Sequence, residues 1–400
     1  MRRASLGAAA LVAALALIAA WNVHSYPSGA GYDVQQHQQY ADLLIHHGEI
    51  PGPQTRSEYY TPPLFYALAG VATVIGEHVH AGDPHKLGQV LNWGILVACA
   101  VVLWLLAREL FPARPWLQLS ALAFFCFLPV VVRVGAMFHP EPLSMLLSAV
   151  ALLLAVRMLG RRDYRWQAAV ATGVVLGLGQ LVRAFSLWTF AAVVLAFLAA
   201  RAWRPLVLVV VATTVVASPW YIRQAIHYGN PVFDRPTKSQ PVWERRPARF
   251  YVGLGLPKVL TGPVRPHFRN EALPTTYSEV WGDYFGVWRG NRERQSFIGL
   301  LPTLLAVAGW LMLTIRWRRV PARLPVVLLP GLGILGYLYF TVSYPTPDGD
   351  VLKASYMLTT APAWALAFGY GFERLPRRIR LVVAAVLAAS ALASLPFLLY

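Results

Sequence analysis

The chain has 400 residues, of which 57% are hydrophobic and 13% are charged. Soluble domains carry about 25% charged residues, so this composition excludes an ordinary water-soluble globule. The formal net charge of +17 is compatible with a nucleic-acid partner, an anionic lipid surface or a membrane topology signal. Because most basic clusters lie in short segments between hydrophobic runs, we prefer topology and expect no nucleic-acid partner. The cysteines, Cys99 and Cys126, both fall within apolar runs, which excludes a disulfide framework.

The first apolar run, residues 4–21, follows Arg2 and Arg3. A basic start, an apolar stretch and small residues near its end are also features of a cleaved signal peptide. We prefer an uncleaved first membrane span, because the apolar stretch is long and the next segment carries candidate site residues.

Apolar runs of bilayer-spanning length recur along nearly the whole chain. Such runs cross hydrocarbon only as helices, because each must satisfy its own backbone polar groups. The sequence therefore predicts an all-α, polytopic membrane protein of about eleven transmembrane helices, in one domain over residues 1–400. The predicted spans are 4–21, 89–107, 117–134, 142–158, 168–182, 184–200, 205–221, 297–315, 324–342, 355–371 and 381–399.

A shorter apolar run at 63–76 is marginal for a crossing. If this run stays out of the count, every basic loop falls on the same side as the N-terminal arginines, as the positive-inside rule requires. If it crossed, all later basic loops would change sides. We therefore predict a juxtamembrane helix at the outer face, a cytoplasmic N-terminus and a location in the cell (inner) membrane. The basic loops are 108–114, 161–165, 201–204, 316–323 and 374–380.

Two long segments, 22–88 and 222–296, then lie over the outer face. Loops as long as the second are usually functional or disordered. Its tryptophans and tyrosines favour a partly ordered cap at the membrane interface. Its prolines are Pro231, Pro236, Pro241, Pro247, Pro257, Pro263, Pro266 and Pro274, and its aromatic residues include Trp243, Tyr251, Tyr277, Trp281, Tyr284 and Trp288.

Asp33 lies just outside the first span and precedes a short amphipathic stretch. Aspartate is common at helix N-caps, where its carboxylate accepts a backbone N–H. A carboxylate at the outer interface could also serve as a general base or a metal ligand. The two roles are compatible, and Asp33 considered alone favours the cap.

A second carboxylate, Glu141, follows His139 and Pro140 in a very short external turn. The helix dipole favours a glutamate at a helix start, which explains Glu141 without a functional role. Alternatively, Glu141 and His139 belong to the same site as Asp33. A His-x-Glu pair could help to bind a metal, but two ligands are too few to predict one, so a divalent metal is left open.

Four cations lie near the same predicted face: Arg133, Arg183, Arg223 and Lys353. Arginines at a membrane interface often extend to lipid headgroups. They could instead form a phosphate cradle, for which the guanidinium fork is well suited. The two interpretations are balanced for Arg133 and Arg223, whereas Arg183 and Lys353 favour the phosphate site. The sequence has no Walker loop, dinucleotide glycine motif, nucleophile elbow or HExxH helix, so nucleotide-driven and hydrolase chemistry have no support.

Short motifs follow Asp33 in a fixed order: 60–66 (YTPPLFY), 108–111 (RELF), 139–141 (HPE), 219–223 (PWYIR), 228–231 (YGNP) and 353–358 (KASYML). This series resembles the polyprenyl-phosphate-dependent glycosyltransferases of the GT-C fold. Within them it looks most like bacterial relatives of protein O-mannosyltransferases and of lipid A aminoarabinose transferase. The resemblance extends over essentially the whole chain. Each motif is loose, whereas their order and spacing together are specific.

The resemblance implies roles for individual residues. Asp33 matches the acid of the first loop, taken as the general base or as the group that orients the acceptor. Glu141 matches the acid of the second external loop, although relatives more often have Asn where this chain has His139. Arg183 matches a basic residue at the outer end of the fifth span. Lys353 matches a position, usually arginine, that would meet the carrier phosphate.

The same motifs add Tyr60 and Tyr356 to the candidate substrate-binding residues, beside Arg133 and Arg223. One departure concerns Val34, since many relatives have a second acidic residue at this position. That departure weakens the prediction of a metal at Asp33.

Together these features predict a glycosyltransferase that moves a hexosyl or pentosyl group from a polyprenyl-phosphate donor to an acceptor hydroxyl at the outer face. Asp33 would accept the hydroxyl proton, with its pKa raised by Glu141, and the cations would stabilise the phosphate leaving group. The acceptor is a lipid, a glycan or a protein. The alternatives are a secondary transporter or lipid flippase, for which charges near the bilayer midplane and internal repeats are expected, and a structural envelope subunit.

Overall fold

The computed structural model describes residues 2–55, 57–232, 245–265, 267–268, 271–316, 320–344 and 351–400. Within these ranges the regular structure is helical, so the predicted all-α class is confirmed. Seven helices are long and apolar enough to cross a membrane. They are α1 (Arg2–Ser25), α4 (Lys86–Leu110), α7 (Glu141–Arg161), α10 (Trp203–Tyr228), α14 (Arg292–Arg316), α15 (Leu324–Ser343) and α17 (Arg377–Leu398).

The other predicted spans form shorter helices. The run 117–134 is divided into α5 (Pro115–Cys126) and α6 (Pro129–Gly135), which meet at an angle of 54°. Pro129 has no N–H to continue the helix and restricts the residue before it, which explains the break. The remaining runs give α8 (Trp166–Gln180), α9 (Leu187–Ala199) and α16 (Ala361–Glu373), the last two each preceded by a 3₁₀ turn. The multi-pass architecture is therefore confirmed, and the number eleven stays a prediction.

The marginal run at 63–76 forms α3 (Leu64–His78), a helix of 15 residues. At about 1.5 Å per residue such a helix is shorter than the roughly 30 Å hydrocarbon core, in agreement with a juxtamembrane position. It packs against α2 (Val34–His47), and a Cβ at Gly70 would lie 3.1 Å from the carbonyl oxygen of Ala41. The close contact brings α2 down onto the helical bundle.

Helix α2 is amphipathic, and its apolar face determines which polar residues enter the core. Val34, His37, Tyr40 and Ala41 are buried, while the intervening glutamines face outward. The ring centroids of Tyr40 and Tyr66 are 3.9 Å apart, which fixes α2 against α3. His37 is thereby held inside the protein, one helical turn after Asp33.

The long segment predicted at 222–296 is partly helical at both ends, because α10 continues to Tyr228 and α14 begins at Arg292. Its described part contains α11 (Ala248–Val252), α12 (Lys258–Thr261) and α13 (Ala272–Trp281). The last of these packs against α6 and α14. Three of the predicted prolines and one tryptophan lie outside the described residues: Pro236, Pro241, Pro266 and Trp243.

Candidate active site

Asp33 occupies the N-cap position of α2, but its side chain makes no capping hydrogen bond. Instead, its carboxylate accepts a hydrogen bond from Lys353 Nζ. The backbone of Asp33 is left-handed, with φ of 51°, a conformation that costs of order 1–3 kcal/mol in a non-glycine residue. Asp33 is thus at the expected N-cap position but does not cap the helix with its side chain. Its carboxylate binds Lys353, near the other end of the chain, instead.

The ion pair sets the protonation of both partners. Burial alone would raise the pKa of Asp33, but the charge and hydrogen bond of Lys353 outweigh it and hold the pKa below its usual value. Burial alone would lower the pKa of Lys353, while Tyr356 and Asp33 together raise it above its usual value. Both groups are therefore charged at neutral pH.

A second ion pair joins the start of α7 to the end of α8. Arg183 Nε donates to Glu141 Oε1 at 2.8 Å, and His139 Nδ1 lies 2.8 Å from Glu141 Oε2. All three side chains are buried. Arg183 lies in extended backbone between α8 and the following 3₁₀ turn, which leaves its side chain free to reach across to α7.

Tyr356 lies between the two pairs. Its ring centroid is 5.6 Å from the Arg183 guanidinium and 6.0 Å from Lys353 Nζ. The residue belongs to the 3₁₀ helix Ala354–Thr360, which directly follows Lys353. Cations are attracted to the face of an aromatic ring, so Tyr356 holds both of them toward one place. The structure thus brings together five predicted site residues: Asp33, Glu141, Arg183, Lys353 and Tyr356.

A neighbouring hydrogen-bonded group on α2, on α3 and just before α3 was not predicted from the sequence. His37 Nδ1 lies 2.8 Å from Tyr66 Oη, which in turn lies 2.8 Å from Thr61 Oγ1. The His37 ring is also in edge-to-face contact with His139, at 4.8 Å. Burial lowers the pKa of His37 well below its usual value, so this imidazole is neutral. Its spacing from Asp33, one helical turn, is the signal that could have identified it.

A third carboxylate, Glu58, was also missed. Its side chain is buried, with the residue 7% exposed, and it forms a hydrogen bond with Tyr60. Burial, followed by the charge of Asp33, raises its pKa above the usual value, while Arg183 and Lys353 act in the opposite direction. In the sequence Glu58 stands in a polar stretch before a predicted helix, where a solvated loop residue is the ordinary interpretation.

The two remaining arginines have other partners. Arg223 donates to the carbonyl of Ile50 and to Gln224 Oε1, each at 3.2 Å, and lies over the Trp220 ring. Arg133 is 1% exposed and forms an ion pair with Glu279 of α13. Its Nη2 also donates to the Glu279 carbonyl at 2.7 Å. A phosphate at Arg133 would have to displace these acceptors.

The predicted influence of Glu141 on Asp33 is wrong. Like-charge repulsion was expected to raise the pKa of Asp33, whereas this pKa is lowered. The physical reason is that Glu141 is neutralised by Arg183, and Asp33 has Lys353 beside it.

The same pairing bears on a metal. Among the described residues, no three or more His, Cys, Asp or Glu side chains are placed to hold a metal ion. The His139–Glu141 pair also has the Arg183 guanidinium against it, and a cation in that place disfavours a second positive charge. Within the ranges that the structure describes, the donor set around Asp33 and Glu141 does not fit a metal ion.

Comparison with known families gives one partial match. Residues 61–222 match the model of the dolichyl-phosphate-mannose-protein mannosyltransferase family. The matched range contains His139, Glu141 and Arg183, while Asp33 and Lys353 lie outside it. No curated protein sequence matches the chain significantly.

Solved structures match over almost the whole chain. ArnT from Cupriavidus metallidurans bound to undecaprenyl phosphate has a TM-score of 0.58 at 16% identity, covering 96% of this chain and 64% of ArnT. The apo oligosaccharyltransferase of Archaeoglobus fulgidus has a TM-score of 0.59 at 16% identity, covering 98% of this chain and 55% of that enzyme. The chain thus spans less than two thirds of the length of either. The GT-C fold inferred from the sequence is confirmed by these similarities.

Proposed function

We propose that this protein is a membrane glycosyltransferase that moves a sugar from a polyprenyl-phosphate donor to an acceptor hydroxyl at the outer, extracytoplasmic face. The observation that carries the proposal is the convergence of two ion pairs, Asp33–Lys353 and Glu141–Arg183, on Tyr356 within a GT-C fold. One carboxylate and two cations are the groups that transfer from a phosphate donor requires. The similar ArnT structure contains undecaprenyl phosphate, which supports the donor class.

Donor binding follows from the charges. The phosphate of a polyprenyl carrier lies at the interface while its hydrocarbon tail stays in lipid. The Lys353 ammonium and the Arg183 guanidinium both lie within about 6 Å of the Tyr356 ring centroid. A bound phosphate competes with the Asp33 carboxylate for the Lys353 ammonium, because both groups are anions. Each can accept one or more of the three N–H bonds of Lys353. Donor binding thereby frees one side of the Asp33 carboxylate for the acceptor.

The chemical step balances with the residues present. The acceptor oxygen forms a bond with the anomeric carbon, and its proton passes to the Asp33 carboxylate. The bond between the anomeric carbon and the donor phosphate oxygen breaks, and the electron pair leaves with the phosphate. Lys353 and Arg183 stabilise that developing charge, so the leaving group needs no proton. Attack opposite the leaving group inverts the configuration of the anomeric carbon.

The acceptor is a lipid, a glycan or a protein, and the membrane is the cell (inner) membrane with the N-terminus in the cytoplasm. In that topology 22–88 and 222–296 are external, so α2, α3 and α13 lie at the interface where the donor phosphate is found. The position of Asp33, Glu58 and Lys353 in segments between long helices supports this assignment. A transporter or flippase is less well supported, because these charged groups do not lie at the middle of the long helices.

The test is transfer by purified protein in liposomes. A panel of undecaprenyl-phosphate-linked hexoses and pentoses serves as donor, and a detergent extract of the cell envelope serves as acceptor. We expect acceptor-dependent formation of undecaprenyl phosphate, measured by mass spectrometry. The Asp33→Asn variant should be slower by about 10²–10⁴-fold, the usual contribution of a general base.

Asp163→Asn is the matched control, because it removes the same charge from a surface pair with Arg165. We expect it to transfer at the wild-type rate. Failure of the wild type to consume any donor in the panel would overturn the proposed activity. Equal rates for Asp33→Asn and wild type would remove Asp33 from its assigned role. Movement of intact donor across the bilayer would favour the flippase alternative.

A further inference from the structure

A buried polar group connects the segment that carries Asp33 to the long external loop. It consists of Tyr32, Arg133 and Glu279, which are 3%, 1% and 0% exposed. Tyr32 directly precedes Asp33, Arg133 lies on α6, and Glu279 lies on α13. None of the three is assigned a step in the transfer reaction described above.

Tyr32 touches both of its neighbours and the cation of the site. Its hydroxyl donates to Glu279 Oε1. Lys353 Nζ lies 5.7 Å from its ring centroid, and the Arg133 guanidinium lies 5.9 Å from it. A cation within about 6 Å of a ring face is attracted by the ring quadrupole. Tyr32 is therefore in contact with Lys353 while its hydroxyl is tied to α13.

Glu279 is well suited to act as the anchor. Its Oε1 accepts hydrogen bonds from Arg133 and Tyr32, and its Oε2 accepts one from the Tyr284 backbone N–H at 3.0 Å. A carboxylate with this many donors has a single favourable position, because each lost bond would leave a buried polar atom without a partner. The anchor holds the Tyr32 hydroxyl in one place.

The backbone around Tyr32 needs such an anchor. The residues on either side, Gly31 and Asp33, have φ of 122° and 51°. A Cβ at Gly31 would lie 2.9 Å from Met137 Sδ, and the φ of 122° itself favours glycine at this position. The left-handed conformation of Asp33 is locally unfavourable for a non-glycine residue and persists only when its surroundings hold it. Tyr32 is the side chain in the middle of that turn.

We propose that Tyr32 is a positioning residue: anchored by Glu279 of α13, it fixes the turn that aims Asp33 and holds the Lys353 ammonium against the Asp33 carboxylate. The long external loop is thereby a part of the active site, through one buried carboxylate. The inference rests on the proposed function for its kinetic consequences, while the geometry of the Asp33–Lys353 pair can be measured without turnover.

The test compares Tyr32→Phe, Tyr32→Leu and Glu279→Gln. Infrared titration of the carboxyl groups reports the pKa of Asp33 when the Asp33→Asn spectrum is subtracted. Lys353 holds that pKa down, so loosening the pair must raise it. We expect a clear rise for Tyr32→Leu and smaller rises for Tyr32→Phe and Glu279→Gln. In the transfer assay, kcat should fall roughly tenfold for Tyr32→Phe. The KM for the acceptor should not change, because the acceptor does not contact Tyr32.

Tyr26→Phe is the matched control. Tyr26 is also fully buried, and its hydroxyl donates to the Val287 carbonyl of the same external loop at 2.9 Å. The Tyr26→Phe variant removes a hydrogen bond between the same two segments, so it reports any general loosening of the loop. We expect it to leave the Asp33 pKa and kcat at wild-type values.

The outcomes separate the two proposals. An unchanged Asp33 pKa in Tyr32→Leu overturns the positioning role, whatever the transfer assay gives. An equal change in Tyr26→Phe overturns it as well, because the effect would then belong to the loop as a whole. A wild type that binds undecaprenyl phosphate but transfers no sugar contradicts the proposed function, and the infrared result still decides the role of Tyr32.

Discussion

The two ion pairs of the site contain similar groups in different surroundings. The side chains of Glu141 and Arg183 are 2% and 7% exposed, whereas those of Asp33 and Lys353 are 38% and 11% exposed. The first pair is closed to solvent and also contacts His139. The second is open on the carboxylate side. A closed pair holds the protein together around a fixed charge arrangement, and an open pair can exchange one of its partners for a substrate.

Because their exposure differs, the two ion pairs have different roles in the site. Glu141 holds Arg183 in place between α8 and α9, where almost no loop is available to position it. Asp33 and Lys353 come from opposite ends of the chain, and Lys353 Nζ lies 6.0 Å from the Tyr356 ring centroid. We infer that the closed pair contributes mostly to stability and the open pair mostly to turnover.

Breaking the closed pair should give the largest effect on folding. Glu141→Ala leaves the Arg183 guanidinium buried without its carboxylate, and removal of one partner of a buried pair costs about 3–5 kcal/mol. We expect a loss of that size in the free energy of unfolding, measured by steric trapping in bicelles. Asp33→Ala should cost less, because the Asp33 side chain is 38% exposed and its removal admits water to the Lys353 ammonium.

The double variant Glu141→Ala/Arg183→Ala checks the cause. It leaves no unpaired buried charge, so it should recover a part of the lost stability. Equal stability of Glu141→Ala and Asp33→Ala would mean that burial does not distinguish the two pairs.

Removing Lys353 from the open pair should give a large loss of activity. Lys353→Met removes a charge that we propose faces the leaving phosphate, and loss of one such donor costs about 10²–10³-fold in kcat. Affinity for undecaprenyl phosphate, measured with the lipid in nanodiscs, should fall as well. Lys353→Arg should keep most of both, since it retains the charge and its N–H donors.

Lys258→Met is the control for the change of net charge, because Lys258 is exposed on α12. It should behave as the wild type in both assays. A Lys353→Met variant with unchanged affinity for undecaprenyl phosphate would contradict the assignment of Lys353 to the phosphate.

The contrast between the pairs also separates what a sequence can and cannot predict. Hydrophobic runs predicted the helical fold and about eleven spans, of which seven correspond to long apolar helices, because each run must form its own hydrogen bonds in lipid. Glu141 and His139 were predicted as neighbours because two positions separate them. The pairing of Asp33 with Lys353 joins residues 320 positions apart, and a single sequence carries no signal for that distance.

Other features depended on tertiary packing. His37 enters the site because the apolar face of α2 turns inward, and Glu58 is buried in the segment before α3. In the sequence, His37 is one polar residue among several in an amphipathic stretch, and Glu58 looks like an ordinary loop residue. The bend between α5 and α6 was missed because the apolar run continues through Pro129, although the proline itself was a warning.

A variant of Glu58 tests, with a smaller expected effect, how a neighbouring carboxyl group affects the Asp33–Lys353 pair. Burial, then the charge of Asp33, raises the pKa of Glu58, so its protonated form persists to a higher pH than in an ordinary glutamate. Glutamine resembles the protonated acid in shape and charge. The Glu58→Gln variant should therefore be closest to wild type at low pH and depart from it, by a few-fold in kcat/KM, as the wild-type carboxyl ionises.

The measurement is the ratio of kcat/KM for Glu58→Gln and wild type between about pH 5 and pH 8. Glu49→Gln, in an exposed position of the preceding loop, should give a ratio near one throughout. A Glu58→Gln ratio that is equally low across this range would mean that the carboxylate is already ionised at acid pH. In that case the cations Arg183 and Lys353, rather than burial, would dominate at Glu58, and the open pair would share its cation with two carboxylates instead of one.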